Sequence, residues 1–480
     1  EKWKMRAVWL AHATAGWRAG GLLGLAALNA RLWARACLGS AFELDLEMTT
    51  PFTSFSSVRA GAFLLAYGVD PYAPGSACLH PPLMLWPLSA LHADMLFFML
   101  IVAEAFTAWA LLRMAEAIRP WHSLSAKNPP PPPRPSSAPS PAEPSRAPFA
   151  MLAPALYLLS PHVVFGCASL STSSLSHAPM AAALALSSAG RPAAAAASLA
   201  LCTYIAPDAI WLFPAVAFPL LSPEPQPHSG APAGASMPPI SKMRRLLSRE
   251  TSSGRALAFG VSWLLTGAAL LLCSRLASGS WSFFSCYSAW ATAAERTPNL
   301  GLWWYLFSVQ ILPATMPLLA AMHVLPHICL PHLVAALPSA PGLAAALSLN
   351  VATAFRPYPT GQDICFALSA LAAQLSPHLL ARTRRLPAAL CVLCACTAAA
   401  RSFWHGWLVD ASLNANFLYA ATLGLGGAHA VLVLDVAAAG LRAQQEAGDV
   451  GSRMKPPQAH AVQRLRPGSC REGSSGQARS

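Results

Sequence analysis

Between residues 16 and 441 the chain is a succession of apolar runs, many near the length a bilayer core demands of a helix, separated by short polar breaks. About twelve such runs can be drawn, at 16–39, 83–113, 149–168, 178–189, 193–206, 208–221, 256–276, 301–324, 326–348, 364–381, 386–409 and 414–441. Hydrocarbon offers no water to unpaired backbone groups, so runs of this kind fold as helices that close their own hydrogen bonds. Charged residues are 11% and hydrophobic residues 55% of the chain, against about 25% charged in an ordinary soluble domain. The expected class is therefore an all-α polytopic membrane protein. Pro192, Pro207 and Pro214 cut the 178–221 region into short or broken pieces. Broken helices at membrane depth are tolerated only against protein or a polar cavity, so a cavity is expected nearby.

Arg and Lys set the orientation. They recur in alternate loops: Lys2, Lys4 and Arg6; Arg113, Arg119, Lys127, Arg134 and Arg146; Arg191; Lys242, Arg244, Arg245 and Arg249; Arg382, Arg384 and Arg385; and Arg442 with the tail beyond it. The positive-inside rule puts these loops in the cytosol. The net charge of +13 then reads as topology and contact with anionic lipid, with no nucleic-acid partner. Residues 1–442 form the transmembrane domain. The Pro-rich cytosolic loops 127–148 and 222–254, and the basic tail 443–480, are too poor in apolar residues to pack and are expected to be disordered. The chain begins at Glu1 rather than Met, so residues ahead of it are expected, and its first apolar run shows no small-residue cleavage site for a leader. Most of the 12 cysteines sit inside apolar runs, where Cys behaves as a small hydrophobe. Cys391, Cys394 and Cys396 fall in such a run, so no metal site and no disulfide frame is expected.

The segments rich in polar, aromatic and turn residues all fall on the other, non-cytosolic face. They are Glu43, Asp45 and Glu47 with Thr49-Thr50-Pro51; Gly68-Val69-Asp70-Pro71-Tyr72; Thr297-Pro298-Asn299-Leu300-Gly301; Arg356 through Asp363; and Asn414-Ala415-Asn416-Phe417-Leu418-Tyr419. Each has an ordinary reading beside a functional one. Asn414 and Asn416 can cap a helix while Phe417 and Tyr419 join an interfacial aromatic belt, or the four can form a recognition surface at the membrane boundary. Glu43, Asp45 and Glu47 would share one face of an extended loop, as metal binding or glycosyl transfer would need, or form a solvated acidic loop. Arg31 and Arg35 can snorkel to the interface or bind lipid phosphate. Asp363 can be a helix-opening acid, with Arg356 and Tyr358 placed to grip a phosphate or sugar. The sequence holds no GxSxG, HExxH or P-loop pattern, so no catalytic residue is assigned.

The order of these segments resembles one family. Asn-x-Asn-Phe-x-Tyr-Ala-x-Thr-Leu from Asn414 to Leu423 is similar to the C-terminal motif of PIG-U, the multi-spanning subunit of the glycosylphosphatidylinositol (GPI) transamidase. Thr297 to Tyr305 resembles its TPNxGLxWY segment, Tyr358-Pro359-Thr360 with Asp363 its YPTxGD turn, and Tyr157-Leu158-Leu159-Ser160-Pro161 its YLLNP. Glu47, Pro51, Gly61, Gly68 to Tyr72 and Pro82-Leu83 follow the order of its first lumenal loop. Departures are Ser160 for the usual Asn, Arg356-Pro357 for a Lys-Ser-like pair, no acid before Pro82, and the two Pro-rich insertions.

The resemblance implies a multi-pass protein of the endoplasmic reticulum membrane with a fold similar to lumen-facing glycosyltransferase-C-like proteins. It implies a subunit without catalysis of its own or a cofactor, partnered by the other transamidase subunits, one of them a cysteine-protease-like catalyst, and by the GPI lipid. Carried over, Asn414, Asn416, Phe417 and Tyr419 would contact that lipid. Asp363, Tyr358 and Asn299 would line the same cleft. The rival is a lumenal mannosyltransferase using dolichol-phosphate mannose, with Glu43 and Asp45 as its acidic pair; a lipid transporter is a third outline, unsupported by any internal repeat.

Overall fold

A computed structural model describes residues 2–38, 48–73, 75–117, 147–221, 252–292, 297–306 and 316–453, and every regular element among them is helical. The long helices are α1 (Lys2–Leu38), α4 (Ala93–Glu116), α10 (Ser252–Ser278), α12 (Met316–Ala336), α15 (Leu386–Leu408) and α16 (Ala415–Arg453). Among the described residues α4, α10, α15 and α16 are long and apolar enough to cross a membrane. Between them lie shorter helices: α2 (Phe55–Ala66), α3 (Pro82–Ser89), α5 (Leu152–Leu159), α6 (Pro161–Ala168), α7 (Ser173–Ser188), α8 (Pro192–Ile205), α9 (Phe213–Leu221), α11 (Phe284–Ala291), α13 (Pro341–Ala354) and α14 (Gly361–Ala372). The acidic loop with Glu43, Asp45 and Glu47 lies outside the described residues, as do most of both Pro-rich loops and residues 454–480.

Two expected crossings are resolved into pairs, and at one of the two breaks proline supplies the reason. The run 83–113 divides into α3 and α4 around Ala90–His92, with Pro87 inside α3. The run 149–168 divides at Ser160, where Pro161 opens α6. Proline lacks the N–H that the first turn of a helix leaves unpaired, so it starts a helix readily and interrupts one. Pro192 opens α8 in the same way, and Pro207 opens a 3-10 turn, Pro207–Leu212, that precedes α9. At the other end, α16 runs past Arg442 to Arg453, so the helix extends into the region expected to be tail.

The main core joins α4, α5, α7, α8, α13, α14 and α16, and α13 is buried on every side from Leu343 to Thr353. A helix apolar all round belongs inside a bundle. A second core joins α2, α3 and α4 with Phe283. α15 and α16 pack antiparallel, so the Arg384–Leu386 turn and the Asn414 turn lie at opposite ends. At the first end Asp435 of α16 accepts hydrogen bonds from the backbone N–H groups of Arg384, Arg385 and Leu386, at 2.9, 2.7 and 3.0 Å. These are donors that the start of α15 cannot satisfy within its own helix.

Arg31 neither snorkels nor meets lipid phosphate. It is 1% exposed, and its Nε pairs with Glu104 of α4 at 2.6 Å while Nη1 donates to the carbonyls of Ala27 and Leu158. Ser174 of α7 donates to the other Glu104 oxygen at 2.8 Å. One ion pair thus ties α1, α4, α5 and α7 together. Removing one partner of a buried pair strands the other charge and typically costs about 3–5 kcal/mol. Arg31→Met should therefore lower the melting temperature of the detergent-purified protein steeply. Arg31→Met with Glu104→Leu should recover most of the loss, and a double variant no better than the single one would contradict this account.

Candidate functional site

The site begins with the start of α14. Thr360 is extended, and its hydroxyl accepts from the Asp363 N–H while Asp363 Oδ2 accepts from the Thr360 N–H and hydroxyl, both at 2.8 Å. This is a reciprocal capping box. The second oxygen, Oδ1, is left for the tertiary structure. It receives Arg356 Nη1 at 2.6 Å and His177 Nε2 at 2.9 Å. Arg356 then turns its remaining edge to Asp208, Nε to Oδ2 at 2.7 Å and Nη2 to Oδ1 at 2.9 Å. His177 stacks on Phe366 with ring centroids 4.7 Å apart, and its Nδ1 lies 3.2 Å from the Tyr157 hydroxyl. Four segments meet here: α7, the 3-10 turn, the Arg356 turn and α14.

Burial acts to weaken the Arg356 charge, but Asp208 and Asp363 outweigh it and hold the guanidinium above its ordinary value. The guanidinium faces two carboxylates. The cluster therefore offers no spare positive charge, and the simple picture of Arg356 gripping a phosphate does not fit its geometry.

Two adjoining cavities open on this cluster and share Ser176, Ala206, Asp208 and Arg356 in their walls. The smaller, about 400 Å³ with its open mouth, is lined by His177, Asp363 and Phe366. The larger, about 590 Å³ with its open mouth, carries the Thr50, Thr53, Thr172 and Ser173 hydroxyls and the Tyr287, Trp290 and Tyr358 rings. The cavity expected beside the broken 178–221 region is there, against the break at Ala206-Pro207. His80 also lines it, fully buried.

The candidate residues fall into two groups. Tyr358 lines the larger cavity, its ring 4.7 Å from Phe52, and Asp363 lines the smaller. Asn299 is buried and serves its own turn: its Oδ1 accepts from Gly301 N–H at 2.6 Å and its Nδ2 donates to the Thr297 carbonyl. A Cβ on Gly301 would sit 2.7 Å from the Pro357 carbonyl oxygen, so only glycine lets the 297–305 segment approach the Arg356 turn. Trp303 Nε1 donates to the Phe355 carbonyl across the same contact. Asn414, Asn416, Phe417 and Tyr419 line neither cavity. Asn414 caps α16 by accepting from Asn416 N–H at 3.0 Å, and Asn416 Oδ1 accepts from the Tyr305 hydroxyl. Tyr419 stacks on Tyr305 at 4.3 Å, and Phe417 is exposed. The three segments are thus contiguous, in the order Asn414 turn, 297–305, Arg356 turn, cavities.

The family model described as "GPI transamidase subunit PIG-U" matches residues 23–425. The chain belongs to the PIG-U family of GPI transamidase subunits. It is 26% identical over 420 residues to the "GPI-anchor transamidase component PIGU" of Mus musculus, covering 85% of this chain and 90% of that protein. The component of that name in Homo sapiens is 25% identical over 412 residues, with 85% and 90% covered. The "GPI transamidase component GAB1" of Saccharomyces cerevisiae is 24% identical over 425 residues, with 87% and 92% covered. These matches do not favour the mannosyltransferase reading. Three of the motifs, the Asn414 stretch, Thr297–Tyr305 and the Tyr358–Asp363 turn, lie in the segments that the structure packs in series.

Sequence reasoning missed His177, Asp208 and His80. Asp208 carried a usable signal, being the one acid between Ala147 and Leu221, and an ionisable residue in apolar sequence is a functional candidate by default. His80 yields a pH dependence. Burial lowers its imidazole to about 4, below the ordinary value of about 6.5. The stability gained by keeping it neutral is whole above about pH 6.5 and is lost as pH falls toward 4, about 3 kcal/mol in all. Melting temperatures measured across that window should fall less steeply for His80→Phe than for the parent protein. Equal slopes would place the acid sensitivity elsewhere.

Proposed function

We propose that this PIG-U family member works as a non-catalytic, multi-pass subunit of the endoplasmic reticulum membrane, with about twelve spans in a glycosyltransferase-C-like arrangement. It binds the GPI lipid on its lumenal face and presents it to a separate cysteine-protease-like subunit, which attaches it to a proprotein. The observation that carries the reading is the contiguity of the Asn414 turn, the Thr297–Tyr305 segment and the Arg356–Asp363 turn with an open cavity lined by hydroxyls and aromatic rings. That end of the bundle lies opposite the basic Arg382–Arg385 turn, which the positive-inside rule assigns to the cytosol.

The geometry sharpens the role of the amides. Asn414 and Asn416 each commit a carbonyl oxygen, one to the helix cap and one to Tyr305. Their NH2 groups lie on exposed residues as donors toward oxygens of an inositol phosphate or glycan. Phe417 and the Tyr305–Tyr419 stack brace the helix start beside the acyl chains.

Co-purification should recover partner subunits that include a Cys/His catalyst, and the isolated protein should transfer no mannose. Replacing Asn414 and Asn416 together by Leu should lower GPI capture by the assembled complex about tenfold or more while the partners still co-purify. Normal capture with a dissociated complex would make the stretch a packing interface instead.

A further inference from the structure

The larger cavity holds one buried polar atom without a partner among the described residues, His80 Nδ1. The Thr172 hydroxyl lies 3.1 Å from the Thr53 carbonyl and 3.2 Å from His80 Nε2, which occupies that ring nitrogen. Nδ1 is left without a partner, and burial keeps the ring neutral. A buried polar atom without a partner is costly, and a ligand hydroxyl, which both donates and accepts, meets the deficit whichever nitrogen carries the proton.

The rest of the wall agrees. Arg356 is held by Asp208 and Asp363, so the nearest cation is balanced by two carboxylates. A phosphate entering here would meet two carboxylates and a guanidinium already paired with both. A sugar brings hydroxyls that can donate to or accept from Nδ1 and donate to the Ser176 and Thr53 oxygens, and apolar faces for Trp290 and Tyr358.

We infer that this cavity is a sugar subsite, taking the hydroxyl- or amine-bearing glycan of a glycolipid headgroup and excluding its phosphate. The inference rests on the GPI-binding reading above and assigns the two ends of that ligand to different places: glycan to the cavity, phosphate outside it.

The test uses the detergent-purified complex and two phosphate-separated probes, glucosaminyl-inositol and inositol 1-phosphate, in calorimetric or saturation-transfer NMR titrations. Glucosaminyl-inositol should bind, and inositol 1-phosphate should not compete with it. His80→Phe, which keeps the bulk and removes the unpartnered nitrogen, should weaken the sugar about tenfold. Should that variant fail to fold, Ser176→Ala should weaken it about threefold. Inositol 1-phosphate binding as tightly as the sugar, no sugar binding to the parent complex, or unchanged affinity in a folded variant would each overturn the inference. Capture of intact GPI lipid is measured on the same preparation. Lipid captured without sugar binding would sink the subsite alone, whereas sugar bound without lipid capture would sink the GPI-presenting role.

Discussion

The Asp363 carboxylate is the joint on which this end of the bundle depends. One oxygen completes the capping box of α14, and the other takes Arg356 and His177, which brings in Asp208 and the Tyr157 ring edge. Buried charges persist only where both signs and their hydrogen bonds are supplied. Each member is costly without the others, so the 3-10 turn, α7 and the Arg356 turn are held as a set. The cavity walls inherit that fixed geometry. The same pairing decides the chemistry of the site, because it spends the Arg356 guanidinium on internal carboxylates.

In the Asn414 stretch the ordinary role is the one on view, and it is compatible with the proposed one. Asn414 is a helix cap by any geometric test, and Asn416 anchors Tyr305. Both leave a second polar group on an exposed residue. Capping fixes where these amides stand, and a donor in a fixed place at a lipid boundary is a better recognition element than a mobile one. The two cavities lie on the far side of the 297–305 segment, so ligand contact on this end would be distributed over more than one surface.

The helical class, the positions of α10 and α15, the start of α16 and the breaks at Pro192 and Pro207 were all legible in the sequence. They follow from local rules: run length, proline chemistry and the cost of unpaired backbone in hydrocarbon. Asp363 and Tyr358 were legible as site candidates because turn chemistry and family order marked them. Arg31 was misread as a snorkelling cation, since its partner Glu104 lies 73 positions away and no local pattern links them. The expected single crossing at 149–168 divides at Ser160-Pro161, where a local proline breaks a run that hydropathy joined, and the run 83–113 divides at Ala90–His92.

By itself the sequence determined that this chain is helical and membrane-bound, belongs with PIG-U proteins and gathers its polar turns toward one end of the bundle. Hydropathy, charge alternation and motif order are properties of the chain in one dimension. Tertiary structure alone decided that His177 and Asp208 join Asp363, that Arg356 is paired with two carboxylates and that His80 lines the cavity with one ring nitrogen unpartnered. Those outcomes depend on which distant side chain a buried polar group meets, and in a low-dielectric interior that partner fixes its charge, its proton and what it can bind.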